Sequence, residues 1–79
     1  MKKIFVEVIV RYQADGTKIP LSIIWDNGRE YIIDKVTDIK KAASLKVGGQ
    51  GVRYKCRILG KETYLWLEAN ERWFVEGKS

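Results

Sequence analysis

The stretch "VRYKCRILGKETYLWLE", residues 52–68, decides the fold because it places two alternating runs on either side of a glycine turn. In the first run apolar residues alternate with basic ones, which is the period of a strand with one buried face. That apolar set is Val52, Tyr54, Cys56 and Ile58. Gly60-Lys61 then turns the chain, and Leu65 and Leu67 mark the interior face of the second run. The stretch therefore predicts two consecutive β-strands.

The same period of two extends over most of the chain. Asn27-Gly28 lies between two β-rich runs and predicts a tight hairpin, because both residues tolerate positive φ. Pro20 indicates an edge strand or the beginning of a strand. The predicted strands cover residues 3–12, 19–25, 52–59, 62–68 and 73–76, with a third strand that starts near residue 29, runs through residue 36 and has no defined end. We expect an all-β protein, a single small antiparallel meander of about six strands rolled into an SH3-like barrel over residues 1–79.

The segment "TDIKKAASLKVGG", residues 37–49, is the least determined part of the chain. An extended, bent path is favoured because its apolar residues do not form a clean helical stripe. A short helical turn near residues 38–46 is the alternative, with Thr37 or Asp38 as its N-cap. The following "GGQG", residues 48–51, lacks the lysine and the helix of a phosphate-binding P-loop, so it is interpreted as a hairpin loop.

Composition narrows the classes of function. The chain has 79 residues, no histidine and one cysteine, so the commonest general base is absent and no internal disulfide can form. Cys56 shares the alternation of the apolar residues and is expected to fill the core. No catalytic residue, metal or cofactor is predicted. The basic start "MKKIFVEVIV" is interrupted by Glu7, so no leader and no membrane segment is expected, and the protein is predicted to be cytoplasmic.

Charge is concentrated in one segment. Residues 35–61 contain eight basic residues and one acidic residue, whereas residues 1–34 are neutral and residues 62–79 carry a net charge of −2. Clustered positive charge favours a polyanionic partner such as single-stranded or duplex nucleic acid. A solvated surface that discourages strand pairing is the alternative reading of the same residues.

The candidate nucleic-acid-binding residues follow from strand geometry. Alternate residues of a strand lie roughly 6.7 Å apart on one face, so Arg53, Lys55 and Arg57 form a basic row about 13 Å long. Such a row can follow a phosphate backbone, and exposed aromatic side chains beside it can stack bases. The predicted contacts are Lys46, Arg53, Lys55, Arg57 and Lys61 for phosphates, with Tyr64 and Trp66 as partly exposed stacking residues.

Two stretches of the chain carry a resemblance to a known group of proteins. They are "WDNGREYIIDKVTDIKKAA" and "VRYKCRILGKETYLWLEANERWFVEG". They resemble small bacterial proteins of unassigned function with a "GR-x-Y-x-(I/V)-D-x-V-x-D" core and a "WFVE"-like end. Here the core residues are Gly28, Arg29, Tyr31, Ile33, Asp34, Val36 and Asp38, and the end is residues 73–76.

The resemblance covers roughly residues 15–76. Similar domains occur beside or fused to lesion-bypass DNA polymerases of the Y family. The resemblance therefore implies an accessory role in DNA processing or repair, with a DNA-processing enzyme as a partner and with no catalytic residues. The sequence predicts a non-enzymatic binding module that contacts nucleic acid. A protein-interaction module or homodimer is the alternative, in which the acidic residues 62–79 of one copy face the basic segment of another.

Overall fold

The computed structural model describes residues 2–41 and 51–77. These residues form strands and turns without a helix, so the all-β prediction is confirmed. The strands are β1 (Lys2–Tyr12), β2 (Lys18–Ile24), β3 (Glu30–Ile32), β4 (Lys35–Lys41), β5 (Gly51–Ile58), β6 (Lys61–Glu68) and β7 (Trp73–Gly77). Nothing in the described part of the chain is a helix long and apolar enough to cross a membrane.

The seven strands make one antiparallel sheet that curls into a half-barrel. Their order in the sheet is β3-β2-β1-β7-β6-β5-β4. Consecutive strands pair except β3 and β4, which lie at opposite ends of the sheet, and β7 joins the two meanders by pairing with both β6 and β1. The long strand β1 is shared between two halves of the sheet, since residues 2–6 pair with β7 and residues 7–12 pair with β2.

The pairing of β1 with β2 contains a local irregularity beyond the point where β1 changes partner. The register with β2 shifts between Ile9 and Val10, and Val10 is opposite Pro20. Proline has no backbone N–H to donate, so a bulge at this position accommodates it inside a paired strand. Pro20 is the third residue of β2 and is buried, and β3 pairs only with residues 22–24, so Pro20 lies near the beginning of the strand where one side has no strand partner. The prediction of an edge position or a strand beginning agrees with this.

The two ends of the sheet are joined by two consecutive residues. The Ile33 amide donates a hydrogen bond to the Leu21 carbonyl at 3.0 Å, and the Asp34 amide donates one to the Arg57 carbonyl at 2.9 Å. The predicted third strand is thus divided into β3 and β4, which gives seven strands where about six were expected. Residues 38–41 are extended in β4 rather than helical, and residues 42–46 of the alternative helical turn lie outside the described residues.

The concave side of the sheet holds the main hydrophobic core. Its buried residues are Ile23, Ile33, Tyr54, Cys56, Leu65, Leu67 and Val75. The predicted interior faces of β5 and β6 are confirmed, because Tyr54 is 2% exposed and Cys56 and Leu65 are fully buried. The Tyr54 hydroxyl donates a hydrogen bond to the Lys18 carbonyl at 2.7 Å, which connects β5 to β2 across the core.

Three hairpin loops share one backbone pattern. In residues 25–29 the Gly28 amide donates to the Trp25 carbonyl and the Trp25 amide donates to the Arg29 carbonyl, at 2.9 and 2.8 Å. Loops 13–17 and 68–72 contain the equivalent bonds. The predicted Asn27-Gly28 hairpin is present, but only Gly28 has a positive φ, while Asn27 accepts a hydrogen bond from the Arg29 amide through its side chain. In the third loop the equivalent of Gly28 is Glu71, with φ 71°.

Candidate nucleic-acid interface

The predicted basic row lies on the convex side of the sheet. In β5 its three residues alternate with buried Tyr54 and Cys56, so they project away from the core. Arg57 is exposed, while Arg53 and Lys55 are half-buried. The structure therefore places Arg53, Lys55 and Arg57 on one outward face, as the alternation predicted.

Strand β4 adds two cations that were not among the predicted contacts. Lys35 is opposite Arg57 and Lys40 is opposite Arg53 in the antiparallel register. A register shift between Val36 and Asp38 moves the second half of β4 by one residue, so simple alternation could not have placed Lys35 and Lys40 on one face. The basic row of β5 thus has Lys35 and Lys40 beside it on β4, at the usual strand separation of about 4.8 Å.

Acidic residues balance part of this charge. Lys55 Nζ lies 3.4 Å from a Glu62 carboxylate oxygen, and Lys40 Nζ lies 3.7 Å from an Asp38 carboxylate oxygen. Lys35, Arg53 and Arg57 form no ion pair with any described residue. The charge that remains for a partner is therefore centred on these three side chains.

An aromatic residue lies directly beside the cations. Tyr64 of β6 is opposite Lys55, and its ring is 41% exposed. The Arg53 guanidinium carbon lies 4.7 Å from the centre of the Tyr64 ring, which is a cation–π distance. The predicted exposure of Tyr64 is confirmed, and the planar Arg53 guanidinium lies beside its ring.

The predicted exposure of Trp66 is wrong, because its side chain is only 6% exposed. Trp66 does project from the convex face, but it stacks on Phe74 of β7 with ring centres 5.9 Å apart and planes 4° from parallel. Phe5 of β1 packs edge-on against Phe74 at 5.9 Å, and Lys3 Nζ lies 4.9 Å from the Phe74 ring centre. These neighbours make a second apolar cluster on the convex face, so Trp66 cannot present its ring to a base.

The remaining predicted contacts fall outside the basic row. Lys61 is exposed but is opposite Ile58 at the end of the β5–β6 hairpin, in the alternation of core-facing Leu65. It therefore does not continue the row. Lys46 lies outside the described residues, and so does the "GGQG" loop apart from Gly51, the first residue of β5.

Two titratable groups of the core, Cys56 and Tyr54, have raised pKa values. Burial raises the pKa of the Cys56 thiol to about 11, so it stays protonated and a poor nucleophile at neutral pH. Burial also raises the pKa of the Tyr54 hydroxyl. Across residues 2–41 and 51–77, no three histidine, cysteine or acidic side chains lie close enough to hold a metal ion.

Comparison of the chain with protein-family models, with curated proteins and with solved structures found no match to any of them. The resemblance to domains associated with Y-family polymerases therefore stays a prediction from the sequence.

Proposed function

We propose that this chain is a small, non-enzymatic module that binds nucleic acid through the convex face of β4, β5 and β6. The observation that carries the proposal is the pairing of cations across neighbouring strands, with Lys35 beside Arg57 and Lys40 beside Arg53. A phosphate backbone gains most from several cations held on a rigid scaffold, because each contact releases bound counterions. The antiparallel ladder between β4 and β5 supplies that rigidity.

The position of Tyr64 favours a single strand over a duplex. Unpaired bases stack on exposed aromatic rings, and an arginine over the ring offers a second planar surface. Arg53 and Tyr64 provide this combination at the side of the basic row that faces β6. Phosphates over β4 and β5 would then leave the bases directed toward Tyr64.

The wider biological setting is part of the same proposal. The curled sheet is an SH3-like barrel in this proposal, and the link at Ile33-Asp34 supports it because those residues bond to strands at both ends of the sheet. The motif between Gly28 and Asp38 supports an accessory role beside a DNA-processing enzyme in a bacterial cytoplasm. Fold likeness alone does not establish such a role, so the binding experiment comes first.

The decisive experiment is a binding titration with a short fluorescein-labelled oligodeoxynucleotide, followed by fluorescence anisotropy at several salt concentrations. If Lys35, Arg53 and Arg57 each neutralise one phosphate, the plot of log K against log salt should have a slope of about −2 for single strands. Changing Arg53, Lys55 and Arg57 to glutamate should remove binding while leaving the circular dichroism spectrum and the unfolding midpoint close to those of the parent.

A matched control changes three exposed cations elsewhere, Lys2, Arg11 and Arg29, to glutamate. That variant has the same net charge, and we expect it to keep most of the affinity. Equal losses in the two triple variants would mean that net charge alone attracts the oligonucleotide. A parent protein that does not bind at low salt would overturn the proposal.

A protein interface is the second candidate function, favoured by apolar side chains on the other half of the sheet. Ile9 is 43% exposed and Ile32 is 59% exposed, and they flank Ser22, which is 2% exposed. Apolar side chains grouped on a convex face are typical of contact surfaces.

Light scattering over a concentration series would test this candidate. A homodimer predicts that the measured mass doubles as the concentration rises, and that an Ile9→Thr, Ile32→Thr variant stays monomeric. A constant monomer mass would contradict self-association.

A further inference from the structure

A groove opens where β1 leaves its first partner strand. Val6 is the last residue of β1 that pairs with β7, opposite Trp73, and from Glu7 onward β1 pairs with β2 instead. Residues 71 and 72 of the loop that precedes Trp73 border the opening. The opening has a volume of about 380 Å³, and its walls include Phe5, Val6, Glu7, Val8, Arg72 and Trp73.

One wall of the groove is a stacked pair of planar groups. The Arg72 guanidinium carbon lies 3.6 Å from the centre of the Phe5 ring, and Phe5 is 41% exposed. Arg72 is exposed, and nucleobases stack on guanidinium planes as they do on aromatic rings. The wall is therefore a surface on which one base can stack.

The polar groups of the groove suit the edge of a base better than a phosphate. Glu7 is exposed and forms no ion pair with any described residue. A carboxylate repels phosphate but accepts hydrogen bonds from the amino group of cytosine. Thymine offers only an imide N–H flanked by two carbonyl oxygens, which a carboxylate repels.

The backbone of the adjoining loop gives an independent indication. Glu71 also borders the groove and has φ 71°, whereas the two loops with the same hydrogen bonds have glycine there, Gly16 and Gly28. A side chain in this region of φ is disfavoured, and such outliers concentrate at functional sites. The Glu71 carboxylate contacts Lys18 Nζ, which fixes the loop against β2.

The groove is continuous with the basic face. Phe5 contacts Phe74, Phe74 contacts Trp66, and Trp66 is opposite Arg53 in the β5–β6 register. Three strand separations, or roughly 14 Å, lie between Arg53 and Phe5 along this row. A single strand of a few nucleotides can span both places.

We propose that this groove binds one base with an exocyclic amino group, stacked on Arg72 and hydrogen-bonded to Glu7. This inference rests on the proposed function, because it assigns base preference to a strand whose phosphates lie on β4 and β5. The groove and the basic face then have different roles: the groove recognises a base, and the basic face binds the phosphate backbone.

The test compares oligo(dC) with oligo(dT) of equal length at pH 7.5, each titrated at low salt. The parent should bind oligo(dC) about tenfold more tightly, the size of one good side-chain contact to a base edge. Glu7→Leu should bring the ratio close to one. Glu30→Leu is the matched control and should keep the parent ratio, since Glu30 lies in the same exposed row of the sheet but away from the groove.

The ratio, rather than the affinity, is the readout, because removing any carboxylate raises affinity for both polyanions. Arg72→Ala should weaken both oligonucleotides by about tenfold if the guanidinium stacks a base. Equal affinity of the parent for the two oligonucleotides, or a ratio unchanged by Glu7→Leu, would overturn the base site while leaving the proposed function in place. No binding of either oligonucleotide would overturn both.

Discussion

Leu59 occupies a turn position that suits few residues. It has φ 52°, it is followed by Gly60 with φ 75°, and the two residues connect Ile58 to Lys61 as a two-residue hairpin loop. Such loops favour asparagine followed by glycine, because both central residues have positive φ. Leucine also gains little from burial here, since its side chain is 73% exposed.

Replacing Leu59 with asparagine should therefore stabilise the protein. We expect a gain of about 1 kcal/mol in the free energy of unfolding, or roughly 4–8 °C in Tm for a domain of this size. Urea and thermal unfolding followed by tryptophan fluorescence would measure it. Leu59→Ala is the control, because it removes the exposed side chain but keeps the disfavoured φ. Equal stabilisation by alanine would attribute the effect to exposure rather than to backbone conformation.

Trp66 shows what strand alternation can and cannot predict about a residue. Alternation correctly places Trp66 on the face opposite Leu65 and Leu67. Exposure depends also on which residues of β7 and β1 lie beside it, and that register comes from pairing with distant parts of the chain. Tyr64, two residues away on the same face, is 41% exposed and has the Arg53 guanidinium, 4.7 Å from its ring centre, beside it.

At the scale of strands, the hairpin β5–β6 is the part that the sequence predicts best. Its observed bounds, Gly51–Ile58 and Lys61–Glu68, differ from the predicted ones by a single residue at three of the four ends. Strong alternation and a turn glycine are both local signals, so they can be recognised without knowledge of the rest of the fold. The division between β3 and β4 is not local, because it depends on bonds from Ile33 and Asp34 to two other strands.

The same distinction applies to the candidate site. Arg53, Lys55 and Arg57 follow from alternation within β5, whereas Lys35 and Lys40 follow from the shifted register of β4. The groove beside Phe5 and Arg72 depends on the point at which β1 changes partner, and nothing local marks that point. The residues that share one face of a strand can thus be predicted from the sequence. The residues that lie side by side on neighbouring strands can be predicted only when the strand pairing is known.

One hydrogen bond tests how the two halves of the sheet are held together. The Tyr54 hydroxyl of β5 donates to the Lys18 carbonyl of β2, and these strands belong to opposite halves. Tyr54→Phe should lower the free energy of unfolding by about 1 kcal/mol, the usual net value of one hydrogen bond. Urea unfolding would measure the difference, with Tyr64→Phe as a control at an exposed ring. Indistinguishable stabilities of the two variants would mean that this hydrogen bond adds nothing measurable to the connection between the halves.

At the scale of the molecule, the basic and acidic segments of the sequence occupy different parts of the protein surface. Of the basic segment, Lys35, Lys40, Arg53, Lys55 and Arg57 lie on the β4–β5 end of the convex face. The acidic residues Glu62, Glu68, Glu71 and Glu76 lie on β6, β7 and the loop between them. The sequence predicts the separation of charge along the chain. It does not predict that acidic residues would border a groove beside a stacked arginine, because that requires β7 to lie next to β1.

The place of β7 in the sheet also has a consequence for how the protein forms during synthesis. Before Trp73 is made, β1 can pair with β2 and β5 can pair with β6, but the strand that pairs with both sets is missing. In the described part of the chain, single bonds such as those from Ile33, Asp34 and the Tyr54 hydroxyl are then left to join them. Only when residues 73–77 have left the ribosome can they insert between β1 and β6 and complete the ladder. We therefore expect cooperative folding to wait for the last strand, so that a stalled nascent chain ending before Trp73 would remain a substrate for proteases and chaperones.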